Sequence, residues 1–344
     1  MRQQRVVVGD IVDDRIVMGH GAGGRKMHRL IANVFRRHFA NPLLDRLEDS
    51  AVFPAPGRRW ALTTDSYVVR PLFFPGGDIG RLAVCGTVND LAVVGAAARY
   101  LSAGFVIREG LRLEVLERVC RSMAATARVA GVSIVTGDTK VIEAGEDEGL
   151  YINTSGVGPV APGLRLGPEL IRPGDAVLLS GPVGEHEAAV AVARGSYRLR
   201  GAIRSDCAPL GRLALELLRA GGVRMMRDPT RGGLATTLNE IAGAAGLGIV
   251  IEEDAVPVSR HVRAIAGILG LDPLYMANEG RLVVVGSGRR STGLARVMRR
   301  VTEGRRGRAI GRVVKSPAGV WLHTRLGSLR PLIMLEGEQL PRIC

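Results

Sequence analysis

Apolar positions along the chain follow two periods that take turns. Residues 26–39 place Leu30, Ile31, Val34 and Phe35 on one stripe at helical spacing, and Asn41-Pro42 ends the run. Residues 60–64 and 67–70 are short segments of strand length. Residues 79–97 are apolar on nearly every face, which predicts a helix buried all round. A strand over 101–107, a helix over 113–130 and strands over 132–136 and 150–157 follow. Residues 1–17 read as a polar lead with one short strand, and 19–25 as a glycine loop. This alternation predicts an α/β domain over residues 1–160.

Residues 161–174 are rich in glycine and proline and predict a domain boundary. The alternation then restarts. Strands are expected over 176–180, 223–226, 249–252, 281–286, 309–314 and 320–324, and helices over 185–194, 210–220, 234–245 and 292–301. A second α/β domain is therefore expected over residues 170–330. Residues 331–344 lack either period and read as a flexible tail ending in Cys344. Fully extended at about 3.3–3.6 Å per residue, that tail reaches about 45 Å.

Composition narrows the classes. The 46% hydrophobic fraction and 46 glycines indicate a packed, turn-rich protein, and 4% aromatics leave the cores to Val, Leu, Ile and Ala. The formal charge of +14 admits nucleic acid or an anionic membrane as partner. That charge is almost all arginine, spread end to end, with no dense basic tract and few aromatics to stack on bases, so neither partner is expected. Lysine occurs only as Lys26, Lys140 and Lys315, so a lysine inside a polar motif stands out. Cys85, Cys120, Cys207 and Cys344 form no CxxC pair, which argues against zinc and against a disulfide framework and fits a reducing cytoplasm. The N-terminus lacks the apolar core of a signal peptide. The longest apolar stretch, residues 82–98, is interrupted by Asn89 and Asp90, as a buried soluble helix can be and a membrane span rarely is.

The carboxylates carry the chemistry. Glu48-Asp49-Ser50, Thr64-Asp65-Ser66, Asn89-Asp90, Gly137-Asp138-Thr139-Lys140 and Asp228-Pro229-Thr230-Arg231 each set an Asp at the edge of an apolar element. Strand ends are where α/β folds bind ligands. Asp90, on an otherwise apolar helix, needs a partner. Several Asp converging on one point need a cation, and magnesium bridging triphosphate oxygens is the usual answer. On this reading Asp65, Asp90, Asp138 and Asp228 are metal ligands, and Lys140 holds a phosphate as a point charge. Thr230 and Arg231 open the helix over 234–245, where they serve either as simple caps or, with the backbone amides, as a phosphate site. Gly19-His20-Gly21-Ala22-Gly23-Gly24 is a GxGxxG ahead of a helix. The flanking strands are too poor for a dinucleotide fold, which leaves a phosphate-covering loop or a plain turn. Glu279 and His186, taken alone, are a turn residue and a surface histidine.

GHGAGGR, NPLLDRLEDSA, TTDSYVVRPLFFPGGDIGRLAVCGTVNDLAVVGA, VTGDTKV, DPTRGGLATTLNEIA, LGLDPLYMANEG and the terminal PRIC together resemble the HypE hydrogenase-maturation proteins, over residues 16–344. The resemblance implies a two-domain aminoimidazole ribonucleotide synthetase-like fold: an N-terminal domain that binds ATP and dimerises through its sheet, and a C-terminal α/β domain. It implies a nucleotide site of Asp49, Asp65, Asn89, Asp90, Asp138, Thr139, Lys140, Asp228, Thr230 and Arg231, with ATP and Mg2+ as cofactors. It also implies that a carbamoyltransferase of the HypF type loads Cys344, that the enzyme dehydrates the carbamoyl group to a thiocyanate, and that an iron-carrying HypC–HypD-type scaffold receives the cyanide for a nickel–iron hydrogenase. Two places depart from the family pattern. Residues 96–99 read Ala-Ala-Ala-Arg where a Pro is expected, and Gly184-Glu185-His186-Glu187 replaces Gly-Asp-His-Gly.

The chemistry asks for a base. A carboxamide oxygen leaves only once it is phosphorylated, and the nitrogen must lose two protons. Glu279 is the candidate base, Lys140 shares the relay or steadies the phosphoryl group, and His186 is the third candidate. The alternative within the superfamily is an ATP-dependent phosphotransferase acting on a small molecule, for which a terminal PRIC has no use.

Overall fold

The architecture is that of a computed structural model, which describes residues 19, 22–35, 38, 41, 42, 44–144, 149–195 and 203–337. The expected strand in the polar lead, His20 and Gly21 of the glycine loop, and Cys344 lie outside the described residues.

The first half opens with helix α1, Arg25–Leu30, which continues as a π-helical turn, Ile31–Phe35. Its sheet contains β1 (Ala51–Ala55), β2 (Arg58–Tyr67), β5 (Tyr100–Arg108), β6 (Ser133–Ile142) and β7 (Leu150–Pro159) in the order β1-β2-β7-β5-β6. A small ribbon, β3 (Phe73–Phe74) with β4 (Gly77–Asp78), leads into helix α2, Ile79–Val93. Helix α3 spans Leu113–Ala130. Along β2, Ala61, Thr63 and Tyr67 are buried while Leu62, Thr64 and Ser66 are exposed. Among the described residues, that alternation marks a sheet covered by helices on one face and bare on the other.

Asp78 starts α2 by accepting from the amides of Gly80 at 2.8 Å and Arg81 at 3.1 Å. The helix was expected to reach residue 97. It stops at Val93 because Gly95 takes φ +76° and residues 96–99 turn extended along β7, with Ala97 N donating to Pro159 O and Arg99 N to Val157 O. No proline is required for that exit.

The second half is a seven-stranded sheet, β14-β13-β10-β12-β8-β11-β9. Its strands are β8 (Ala176–Leu179), β9 (Val223–Arg227), β10 (Gly248–Glu252), β11 (Val283–Gly286), β12 (Arg308–Val314), β13 (Gly319–His323) and β14 (Leu329–Pro331), with helices α4 (Glu185–Arg194), α5 (Gly211–Ala220), α6 (Gly233–Ala245), α7 (Arg260–Leu269) and α8 (Ser291–Arg299). Helix α2 joins the halves. Its start packs with Tyr67, Met123 and Ile152, and its end, Ala92 and Val93, packs with Leu213, Leu217 and Met226. Each such large apolar side chain taken from water contributes about 1.5–3 kcal/mol, so α2 is held by both cores.

Other elements also differ from the sequence reading. The segments 60–64 and 67–70 are one strand, β2, which ends at Tyr67. The strand expected over 132–136 runs on to Ile142, so Asp138, Thr139 and Lys140 lie within β6 and not at its mouth. Helix α7 and strand β1 were not anticipated. Ser259 caps α7, and Val262, Ile265, Ala266 and Leu269 form its buried stripe.

Candidate active site

On β2, Thr63, Asp65 and Tyr67 share the helix-covered face. Asp90, near the end of α2, meets them there. Thr63 Oγ1 lies 2.9 Å from Asp90 Oδ2 and 3.0 Å from the Asp49 carbonyl oxygen. A hydroxyl has one proton and cannot donate to both. Burial pushes the Asp90 carboxyl well above the usual range, and the charges of Asp228, Asp49 and Asp65 push the same way.

Asp228 follows β9 and is 9% exposed. Burial first, then the neighbouring Asp49, pushes it up to about 7. Asp49 is itself raised by burial, against the opposing pull of Arg227, whose Nε lies 3.3 Å from Asp49 Oδ2. Arg227 is also held by Glu240 Oε2 at 2.6 Å and donates to the Leu47 carbonyl at 2.8 Å. Asp90 and Asp228 are thus raised by burial together with the neighbouring Asp49 and Asp65 carboxylates, and Arg227 pairs with Asp49.

Glu279 joins them from the segment before β11. Burial pushes it well up, followed by Cys207, Asp228, Asp206 and Asp65. The Cys207 thiol is raised in turn by hydrogen bonding with Cys85 and by burial. Among the described residues Cys85, Cys120 and Cys207 are free.

Two further parts border the cluster. Arg231 Nη2 is 3.3 Å from Asp65 Oδ1. Helix α6 starts behind it with no side-chain cap, and Gly232 and Gly233 both take positive φ. Gly23 of the glycine loop packs on Arg231 so closely that a Cβ there would stand 2.9 Å from the Arg231 carbonyl oxygen. Beside that loop the tail is pinned. Arg25 N donates to Leu335 O at 2.8 Å, Lys26 N to Glu336 O at 3.0 Å, and Glu336 pairs with Arg25 at 2.9 Å and Arg29 at 3.4 Å.

The other residues singled out from sequence divide between the edge strand β6 and the surroundings of Glu279. Asp138 pairs in register with Gly104 and Lys140 with Val106 on the edge strand β6, where both are exposed. The register places Asp138 in the row of Ser66, Asn153 and Gly104, on the bare face opposite Asp65. Three strand spacings separate β6 from β2, about 14 Å. Thr139 lies on the same strand. Within one chain, therefore, Asp138, Thr139 and Lys140 do not meet the cluster. Asn89 is 1% exposed, and its amide contacts Ala208 O, Glu279 O and Leu210 N. His186 is buried, stands edge-on to Phe74 and has Nδ1 2.9 Å from Ser205 Oγ. Burial lowers its pKa, and Asp206 opposes this.

Among the described residues no three His, Cys, Asp or Glu side chains close a metal site by themselves. Asp49, Asp65, Asp90 and Asp228 nevertheless fit magnesium. They are hard oxygen donors that repel one another, with Arg227 beside Asp49 and Arg231 beside Asp65, and magnesium commonly takes one or two carboxylates and completes its shell with phosphate oxygens and water. Sequence reasoning missed Thr63, Arg227, Asp206 and Asn278. Asn278 is fully buried, accepts from Gly184 N at 2.8 Å and donates to Pro229 O at 2.9 Å, so it braces the Asp228 loop. Its place in ANEG was visible, but its partners are distant in sequence.

Profiles described as AIR synthase related protein, N-terminal domain and C-terminal domain, match residues 47–160 and 172–322. The carbamoyl dehydratase HypE of Rhodobacter capsulatus is 49% identical over 96% of this chain and 99% of its own length. A solved HypE in complex with ATP is 47% identical over 96% of this chain and all of its own, with a TM-score of 0.79. A HypE–HypF complex matches at 42% identity over 89% of this chain and 99% of its own, with a TM-score of 0.84. Among the described residues no helix is long and apolar enough to cross a membrane. A two-sheet AIR-synthase-related α/β fold, near-complete coverage and an identity close to one half leave the small-molecule phosphotransferase reading without support: the chain belongs to the HypE carbamoyl dehydratase family.

Proposed function

We propose that the chain dehydrates an S-carbamoyl group on its own Cys344 to a thiocyanate, the source of the cyanide ligand for the iron of a nickel–iron hydrogenase. The observation that carries this reading is the approach of Glu279 to the Asp65 and Asp228 carboxylates, beside a tail pinned at Glu336. Eight residues beyond that pin, Cys344 has a reach of about 27 Å, enough for a partner's site as well as its own.

The balance is simple. The carbamoyl oxygen takes the γ-phosphoryl group of ATP as the nitrogen gives up its first proton. The carbon–oxygen bond then breaks, the oxygen leaves in phosphate, and the nitrogen gives up its second proton as the C≡N bond completes. Glu279 accepts a nitrogen proton and must be ionised to do so. Asp65, Asp90 and Asp228, with Asp49 behind them, would hold magnesium, which would spread the charge of the transferring phosphoryl group. Thr230, Arg231 and the amides opening α6 suit the phosphates.

A homodimer completes the site. The bare face of the first sheet and the edge strand β6 expose Leu62, Tyr100, Val106, Val135 and Val141. Packing two such surfaces together would cover them and set Asp138, Thr139 and Lys140 of the edge strand at the seam between the chains. The family resemblance, with a relative solved as a HypE–HypF complex, supports two cytoplasmic partners: a HypF-type carbamoyltransferase that loads Cys344, and an iron-carrying HypC–HypD-type acceptor. The test is stoichiometric. ATP consumed by carbamoyl-loaded protein should equal thiocyanate formed, and unloaded protein should consume little. ATP use that ignores loading contradicts the reading.

A further inference from the structure

We infer that Asp206 is a positioning residue for Glu279, acting through a strap of chain from Ser205 to Leu210 that grips the Glu279 backbone. This rests on the reading of Glu279 as the proton acceptor.

The Asp206 side chain is fully buried. Its Oδ2 accepts from Glu279 N at 3.2 Å and from Gly280 N at 3.0 Å. On the other side of the same residue, Ala208 N donates to Glu279 O at 3.3 Å. Asn89 of α2 donates to Ala208 O at 3.1 Å and to Glu279 O at 3.5 Å, and accepts from Leu210 N at 2.7 Å. Both backbone polar groups of Glu279 are therefore committed to the strap or to the helix behind it. The contact is close-packed. A Cβ on Gly280 would stand 1.9 Å from the Asp206 carbonyl oxygen.

The strap is tied to both halves of the molecule. Ser205 N donates to Pro75 O at 2.8 Å, and Arg81 Nε donates to Cys207 O at 2.8 Å. On the other side, Ser205 Oγ meets His186 Nδ1 at 2.9 Å and accepts from Cys207 N at 3.1 Å. His186 thus touches the strap.

Asp206 is a poor choice if its task were stability alone. Arg281 Nε is 3.6 Å away and also serves Glu185. Asp206 Oδ1 is buried with no hydrogen-bond partner among the described residues. A buried unsatisfied acceptor is costly. The carboxylate is placed where it holds the two peptide groups that flank Glu279, the residue that carries the base. Proton abstraction depends on such aim, and a misplacement of about 1 Å can cost about 100-fold in rate.

The test is single-turnover conversion of protein already carbamoylated on Cys344, in Asp206→Ala, Asp206→Asn and Glu279→Gln. Asp206→Ala should load normally and keep its ATP KM while converting about 100-fold more slowly. Asp206→Asn should stay within about ten-fold of wild type, because its amide oxygen accepts the same two N–H groups. Asp206→Ala at the wild-type rate overturns the inference. So does an equal loss in Asp206→Asn, which would make the charge and not the grip responsible, or a parallel fall in loading and ATP affinity, which would mean general damage to the fold. Glu279→Gln at the wild-type rate removes the reading of Glu279 and the inference with it. A stalled Glu279→Gln beside a fast Asp206→Ala removes the inference alone.

Discussion

Thr63 Oγ1 and Asp90 Oδ2 lie 2.9 Å apart, at the junction of β2 with α2, while the same hydroxyl faces the Asp49 carbonyl at 3.0 Å. The threonine thereby couples two segments of the carboxylate cluster. Thr63→Val keeps the shape and removes the link. It should weaken the magnesium dependence of ATP turnover by about 10–100-fold, as losing an outer-shell partner of a metal ligand typically does. Asp90→Asn should do more harm while the fold survives, since its amide can donate to Thr63. A magnesium titration of ATP turnover decides; unchanged curves would place the cation elsewhere.

The cluster also sets a pH dependence. Asp228 has a folded pKa of about 7 against an ordinary 3.8. Between those values the folded state binds more protons than the unfolded, so stability falls as pH rises through that window. Asp90, Asp49 and Glu279 are raised as well and push the same way. Protein freed of magnesium and ATP should therefore resist denaturant better at pH 5 than at pH 8. Asp228→Asn should flatten the trend, and magnesium with ATP should restore stability at pH 8. Urea midpoints at the two pH values check this, and a rise with pH in the metal-free protein would refute it.

The proposed dimer has a direct test. Val141→Lys places a charge on the exposed β6 edge, and should yield monomers in sedimentation with ATP turnover lost. Mixing Lys140→Ala with Asp228→Asn subunits should restore about a quarter to a half of the activity if each site draws on both chains, because one site per heterodimer is whole. No recovery on mixing would mean that Lys140 serves its own chain or no site.

How far the site was legible follows from periodicity. Helix α2 stood out because its apolar run is long, and Asp90 stood out against that run. Asp65 and Asp228 were legible as breaks at the ends of apolar segments. Asp138 looked equivalent and was not, because apolar alternation fades along β6, an edge strand exposed on both faces, and hides where it ends. Strand β1 was obscured by Pro54, which an edge strand tolerates. Helix α7 was obscured by the glycines at 267 and 270. Asp206 could not be read at all: it lies in irregular chain, and its partner Glu279 is 73 residues away.

The tail pin gives a smaller effect. Glu336 is about half exposed, and exposed ion pairs contribute about 0–1 kcal/mol. Glu336→Arg turns attraction to Arg25 and Arg29 into repulsion. It should expose the tail to proteolysis after residue 332, leave loading by the carbamoyltransferase intact and slow conversion by a few-fold. Unchanged proteolysis would show that the backbone bonds from Arg25 and Lys26 hold the tail without the charge.

The central claim concerns what happens on Cys344, and intact mass reads it most directly. Wild-type protein incubated with a carbamoyltransferase, carbamoyl phosphate and ATP should first gain a carbamoyl group and then lose one water, about 18 Da, as the nitrogen protons are removed. Peptide mapping should put the adduct at the C-terminus, Cys344→Ala should remain unmodified, and Glu279→Gln should stop at the carbamoyl form. A carbamoyl adduct on Cys85, Cys120 or Cys207, or a loaded wild-type protein that never loses water with magnesium and ATP present, would contradict the account.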